Sequence, residues 1–125
     1  SQGTTVILVL SPWHPYLYGY LLTEPEQHKG FFLVENWLRQ YCADNNVPLY
    51  GSYDPACIEG LQETDFFDGL HCGGTGIERF FPGIPQALAD LENGTLANPL
   101  DVHPRTSLDD PNAEPVDPDT NQQEG

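Results

Sequence analysis

Asp68 and His71 stand three residues apart in the stretch Asp65-Phe-Phe-Asp-Gly-Leu-His-Cys-Gly-Gly-Thr-Gly76. A carboxylate so placed can fold back in a short turn and bond one imidazole nitrogen. The bond fixes the tautomer and leaves the other nitrogen able to take a proton. That is half of a nucleophilic site; the other half is a nucleophile and donors for an oxyanion. Gly69, Gly73, Gly74 and Gly76 give the backbone the freedom such a turn needs. Thr75 reads as the cap of a helix running through Ile77-Glu-Arg-Phe-Phe81. The bland account of the same stretch is a glycine-rich loop with an incidental Asp and His.

A second histidine sits in Ser11-Pro-Trp-His-Pro15. This loop follows Thr4-Thr-Val-Ile-Leu-Val-Leu10, a β-branched and aliphatic run that reads as a strand buried on both faces of a parallel sheet. In an open α/β sheet, ligands bind beyond the carboxyl ends of the strands, so Ser11, Trp13 and His14 are candidate substrate-binding residues. Ser11 is a poor nucleophile: no glycine flanks it, and Pro12 lacks the N–H that an oxyanion hole would use. The structural alternative is a rigid loop whose Trp13 caps the core.

Two further elements must position these loops. Phe31, Val34, Trp37, Leu38 and Tyr41 recur at three and four, which predicts a helix over residues 31–46 with that face buried and Glu35, Asn36, Arg39 and Gln40 elsewhere. Asp44-Asn-Asn46 stops it, and Val47-Pro-Leu-Tyr-Gly-Ser-Tyr53 resumes as a strand. Strand, helix and strand with short joints make a parallel crossover, so both strands end at one sheet edge. The 11–14 loop and the Asp68–His71 turn therefore converge. Residues 16–22 read as a short helix or ordered loop. Asp54-Pro opens another short helix with an Asp cap and Pro at the first position.

The block Asp68-Gly-Leu-His71, with Gly76 five residues on and a helix after it, resembles the last conserved block of the SGNH (GDSL-like) hydrolases, D-G-x-H-x-x-x-x-G. The resemblance spans residues 5–81 as the C-terminal portion of such a domain. It implies a flavodoxin-like three-layer α/β fold with a parallel sheet, and ester chemistry: hydrolysis, or O-acyl transfer onto cell-surface polysaccharide in some branches. By this resemblance His71 is the general base and Asp68 its orienting partner, and members of this branch carry a Pro-x-His-Pro segment like Pro12-Trp-His-Pro15. An extracytoplasmic location is also implied for those branches. The Gly-Asp-Ser block and the oxyanion-hole glycine and asparagine blocks do not occur here, so a preceding segment or partner chain is expected to bring the nucleophile.

The 125 residues include 12 Gly, 12 Pro and no Met. This size sets one domain as the ceiling, and the missing Met predicts a start inside a longer product or after processing. Nineteen acids against four bases give a net charge of −15, which excludes nucleic acid and disfavours anionic membranes. No run approaches the roughly 20 apolar residues of a membrane span. Cys42, Cys57 and Cys72 form no C-x-x-C pair and read as free thiols. His14, His71 and Asp68 fit no compact metal motif, so neither metal nor cofactor is expected.

Two units result: residues 1–93 as the α/β part, and residues 94–125 as an acidic, Pro-rich disordered tail. A two-stranded sheet leaves Val6, Leu8 and Leu10 short of neighbours. The favoured function is an ester hydrolase or O-acyltransferase fragment holding the Asp/His half of a triad, inactive alone and acting on a small ester or acylated polysaccharide. The alternative is a noncatalytic carbohydrate- or partner-binding module using the aromatic loop from Trp13 to Tyr20.

Overall fold

The computed structural model describes residues 4–68, 71–108 and 110. Strand β1 (Leu8–Leu10) leads to helix α1 (Pro15–Leu22), helix α2 (Lys29–Asn45) and strand β2 (Leu49–Gly51). The strands pair in parallel, with Leu8 opposite Leu49, Val9 opposite Tyr50 and Leu10 opposite Gly51. A helical crossover between parallel strands is the basic α/β unit. Its edge is extended past the strands by the Trp13 amide, which donates to the Tyr53 carbonyl at 3.0 Å. Both strand-end segments therefore leave the sheet together.

The ordered strand is shorter than the seven residues its composition predicts. Residues 4–7 carry no ladder, and within β1 Leu10 is buried while Val9, which points to the opposite face, is 40% exposed. The expectation of a strand buried on both faces does not hold, because the face that Val9 occupies is left partly open.

Helix α1 starts where the sequence provides a cap and a proline. The His14 ring accepts from the Tyr16 amide at 3.1 Å, and Pro15 takes the first position. Tyr18, Leu21 and Leu22 of α1 join Phe32 of α2 to form the core, with Trp13, Phe31 and Tyr53 packed against it. Helix α2 ends at Asn46, whose φ of 55° is the left-handed cap that Asn tolerates.

The inward face of α2 is not the apolar one that its periodicity suggests. Phe32, Glu35, Arg39 and Cys42 are buried, whereas Val34, Trp37 and Tyr41 are exposed, Trp37 at 65%. The reason is hydrogen bonding. Arg39 binds Glu35 at 2.7 Å, and its guanidinium also donates to the Gly51 carbonyl at 2.7 Å and the Pro99 carbonyl at 3.1 Å. Glu35 accepts from the Tyr53 amide at 2.9 Å. Buried backbone groups at the end of β2 need partners, and this ion pair supplies them. Trp37 and Tyr41 stack on each other outside, with ring centres 5.6 Å apart.

The Asp54 cap forms as expected: its side chain accepts from the Ala56 amide at 2.9 Å and opens a 3₁₀ turn, Pro55–Cys57. The helix expected from Thr75 is a single turn, α3 (Gly74–Ile77), with Gly73 rather than Thr75 as its cap. Two glycines among its four residues leave it little intrinsic helicity, and Pro82 bars its extension. Helix α4 (Ile84–Asn93) follows and ends at Gly94, φ 72°.

Residues 94–108, assigned above to a disordered tail, carry a 3₁₀ turn (Pro99–Asp101) packed on α2. Arg105 then enters the body. Its guanidinium meets the buried Asp54 carboxylate through bonds of 2.7 and 2.9 Å, its amide donates to Asp54 at 2.9 Å, and its carbonyl accepts from the Tyr18 hydroxyl at 2.8 Å. The ordered body thus passes residue 93, because one arginine satisfies a carboxylate that would otherwise be stranded. The Pro-rich part of the tail, residues 111–125, lies outside the described residues.

Candidate active site

Asp68 and His71 ride at the tip of a loop closed at its base. Phe66 and Cys72 form an antiparallel bridge, the Phe67 amide donates to the His71 carbonyl at 2.8 Å, and the Gly73 amide donates to the Asp65 carbonyl at 2.7 Å. Gly69, credited above with freeing the turn, lies outside the described residues. Below the tip, Asp65 anchors the loop. One of its oxygens accepts from the Gln62 amide at 2.9 Å and from Arg79 Nε at 2.9 Å. The Gln62 amide first, and the Arg79 guanidinium second, hold its carboxyl below the usual carboxylate range. Gly76 is required for space: a Cβ there would stand 2.8 Å from Asp65 Cβ.

At the tip, His71 Nδ1 lies 2.9 Å from both oxygens of Asp68, and the His71 amide donates to the same carboxylate at 3.0 Å. A carboxylate accepts and never donates when ionised, so the ring proton belongs on Nδ1. Nε2 is then left with its lone pair. The two side chains are 69% and 59% exposed, so the ring stands in solvent rather than in a packed core. The arrangement can orient a base and stabilise its protonated form.

The loop after β1 reaches this region. Ser11 lies close enough to Cys72, the residue after His71, for its hydroxyl to act on that thiol. The His14 ring lies 5.2 Å from that of Phe66. His14 and Asp68 both line one open cleft of about 510 Å³, with Tyr16, Leu17, Tyr20, Phe66 and Phe67. Of the residues singled out from the sequence, Asp68, His71, His14 and Ser11 come to one end of the molecule. Trp13 does not join them: its ring packs on Phe31 at 4.8 Å, as the core-capping account has it. His14 also has a structural task, capping α1 through Nδ1.

Tyr16 and Tyr20 belong to the aromatic stretch read above as an alternative binding surface, and both line the cleft, whereas Tyr18 of that stretch is buried in the core. Phe66 and Phe67 are lining residues that sequence reasoning did not assign to a site, although they directly precede Asp68. All three cysteines are free. Burial and the charge of Asp65 push the Cys72 thiol up despite the Ser11 hydrogen bond, and burial pushes Cys57 up to about 11. Among the described residues no three His, Cys, Asp or Glu side chains gather as a metal site, and no helix is long and apolar enough to cross a membrane.

Compared with protein-family models, curated proteins and solved structures, the chain shows no significant match.

Proposed function

We propose that this chain provides the acid–base half of an ester-processing centre of the SGNH type, as the C-terminal portion of a flavodoxin-like three-layer domain. The observation that carries this reading is the exposed imidazole of His71, held through Nδ1 at 2.9 Å by Asp68 beside a ligand-sized cleft. His71 Nε2 takes the proton of a serine hydroxyl as its oxygen attacks the ester carbonyl. Asp68 stabilises the imidazolium so formed. When the tetrahedral adduct collapses, the Nε2 proton passes to the leaving alkoxide, and a water or an acceptor hydroxyl then repeats the sequence on the acyl-enzyme. The serine and the oxyanion donors come from outside these 125 residues, so the chain alone is inactive. A small ester or an acylated polysaccharide is the substrate class.

The test uses the longest natural polypeptide that contains this sequence. Hydrolysis of p-nitrophenyl acetate should fall by about 10³-fold or more in His71→Ala and by about 10²- to 10⁴-fold in Asp68→Asn. Unchanged turnover in His71→Ala removes the residue from the mechanism.

The aromatic lining of the cleft favours a second reading, a noncatalytic module holding a carbohydrate or a partner chain on Tyr16 and Tyr20. Polysaccharide binding that survives loss of both Asp68 and His71, in a protein without esterase activity, supports that reading instead.

A further inference from the structure

The cleft beside Asp68 is walled by rings and bordered by a carboxylate. Tyr16, Tyr20, Phe66 and Phe67 line it together with His14 and Asp68, and no lysine or arginine does. Three of these rings present large open faces: Phe67 is 79% exposed, Tyr16 76% and Tyr20 61%. They are not turned inward to build the core, which lies on the other residues of α1.

The chain's four cationic side chains explain what charge this cleft feels. Lys29 pairs with Glu26, Arg39 with Glu35, Arg79 with Asp65 and Arg105 with Asp54. Every lysine and arginine in the sequence is thus matched to a carboxylate elsewhere, and the remaining acids leave the net charge of −15. No lysine or arginine borders the cleft, and the net charge of −15 gives a field over the surface that attracts cations. Aromatic faces attract a cation through their quadrupole, most strongly where several rings and a carboxylate surround it.

We propose that the cleft binds an ammonium group, so that the substrate of the adjoining dyad is an ester carrying a quaternary or alkyl ammonium on the part that lies against Tyr16, Tyr20, Phe66 and Phe67. The word substrate rests on the ester-processing reading above; the cation site itself does not. Neutral sugars also stack on tyrosine, but they gain nothing from the charge, and this difference separates the two ligand classes.

The test is a titration of the intact 125-residue chain with choline and with 3,3-dimethylbutan-1-ol, its uncharged isostere, following the ring resonances of Tyr16, Tyr20, Phe66 and Phe67 by NMR. Choline should bind about tenfold tighter than the isostere, and more weakly as sodium chloride is raised. Tyr20→Ala and Tyr16→Ala should each weaken choline by about threefold to tenfold while leaving the isostere within about twofold. Both residues are largely exposed, so these variants fold. Equal affinity for the two ligands, tighter binding of a neutral oligosaccharide than of choline, shifts confined to other residues, or no binding at all overturns the proposal. Failure of the two readings is distinguishable: choline bound normally with turnover indifferent to His71→Ala removes the ester function alone, and turnover dependent on His71 with no choline bound removes the cation site alone.

Discussion

Asp68 and Asp54 each hold a basic side chain, and their surroundings give them opposite tasks. Asp68 lies in the open against His71, where screening by water leaves an ionic hydrogen bond worth roughly 0–1 kcal/mol. Asp54 is fully buried and binds Arg105 through both oxygens. Breaking a buried pair by removing one partner strands a charge and costs about 3–5 kcal/mol. Asp68→Ala should therefore change stability in urea by less than about 1 kcal/mol, whereas Arg105→Ala should lower it by about 3–5 kcal/mol. A large stability loss in Asp68→Ala would make that carboxylate a scaffold residue. The Asp68–His71 contact was legible from spacing alone, because three residues with a glycine between them suffice for a local turn. The Asp54–Arg105 contact was not, since 51 positions separate the partners and no local pattern joins them.

At the scale of elements, the loop that presents the dyad is held from below by Asp65, Arg79 and Gly76. Asp65 has its carboxyl depressed in the folded state, so its contribution to stability is fully present above the ordinary carboxylate pKa of about 4 and is lost as pH falls through the lower folded-state value. Asp65→Asn should flatten that acid-side loss in denaturation curves taken across the acid range, and Arg79→Ala should flatten it only in part because the Gln62 amide remains; an unaltered acid limb in Asp65→Asn would show that Asp65 is not what titrates. Gly76→Ala places a methyl 2.8 Å from Asp65 Cβ and should destabilise by about 1–3 kcal/mol. Helix α2 shows where periodicity misleads. Phe31, Val34, Trp37 and Tyr41 share one helical spacing, while Glu35 and Arg39 share another. Either face could point inward on pattern alone, and the choice is made by the Gly51 and Pro99 carbonyls and the Tyr53 amide, which belong to distant segments.

Over the molecule as a whole, the parallel pair of strands and its helical crossover were readable from the order of hydrophobic runs, as was the meeting of the two loops at one end. The extent of the body was not. Prolines and acids after residue 93 have the composition of a tail, yet the 3₁₀ turn at Pro99–Asp101 and the Arg105 contact bind residues 94–108 to the core. Val34, Trp37 and Tyr41 on α2, Val9 of β1 and Val6 before it remain substantially exposed. Apolar groups in that position contribute little to the fold as it stands. Trp37→Ser should accordingly shift stability by no more than about 0.5 kcal/mol, while Trp13→Ala, which removes a ring packed on Phe31, should cost about 3 kcal/mol. Thermal melts of the two variants compare them directly.

The account depends on Asp68 fixing the imidazole of His71 with its outer nitrogen bare, and a long-range ¹H–¹⁵N spectrum of the histidine ring at alkaline pH reads that state. The expected result is a proton on Nδ1 of His71 and none on Nε2, with the preference lost in Asp68→Ala. A proton found on Nε2 in the unmodified chain, or a ring whose tautomer is indifferent to Asp68→Ala, would contradict it.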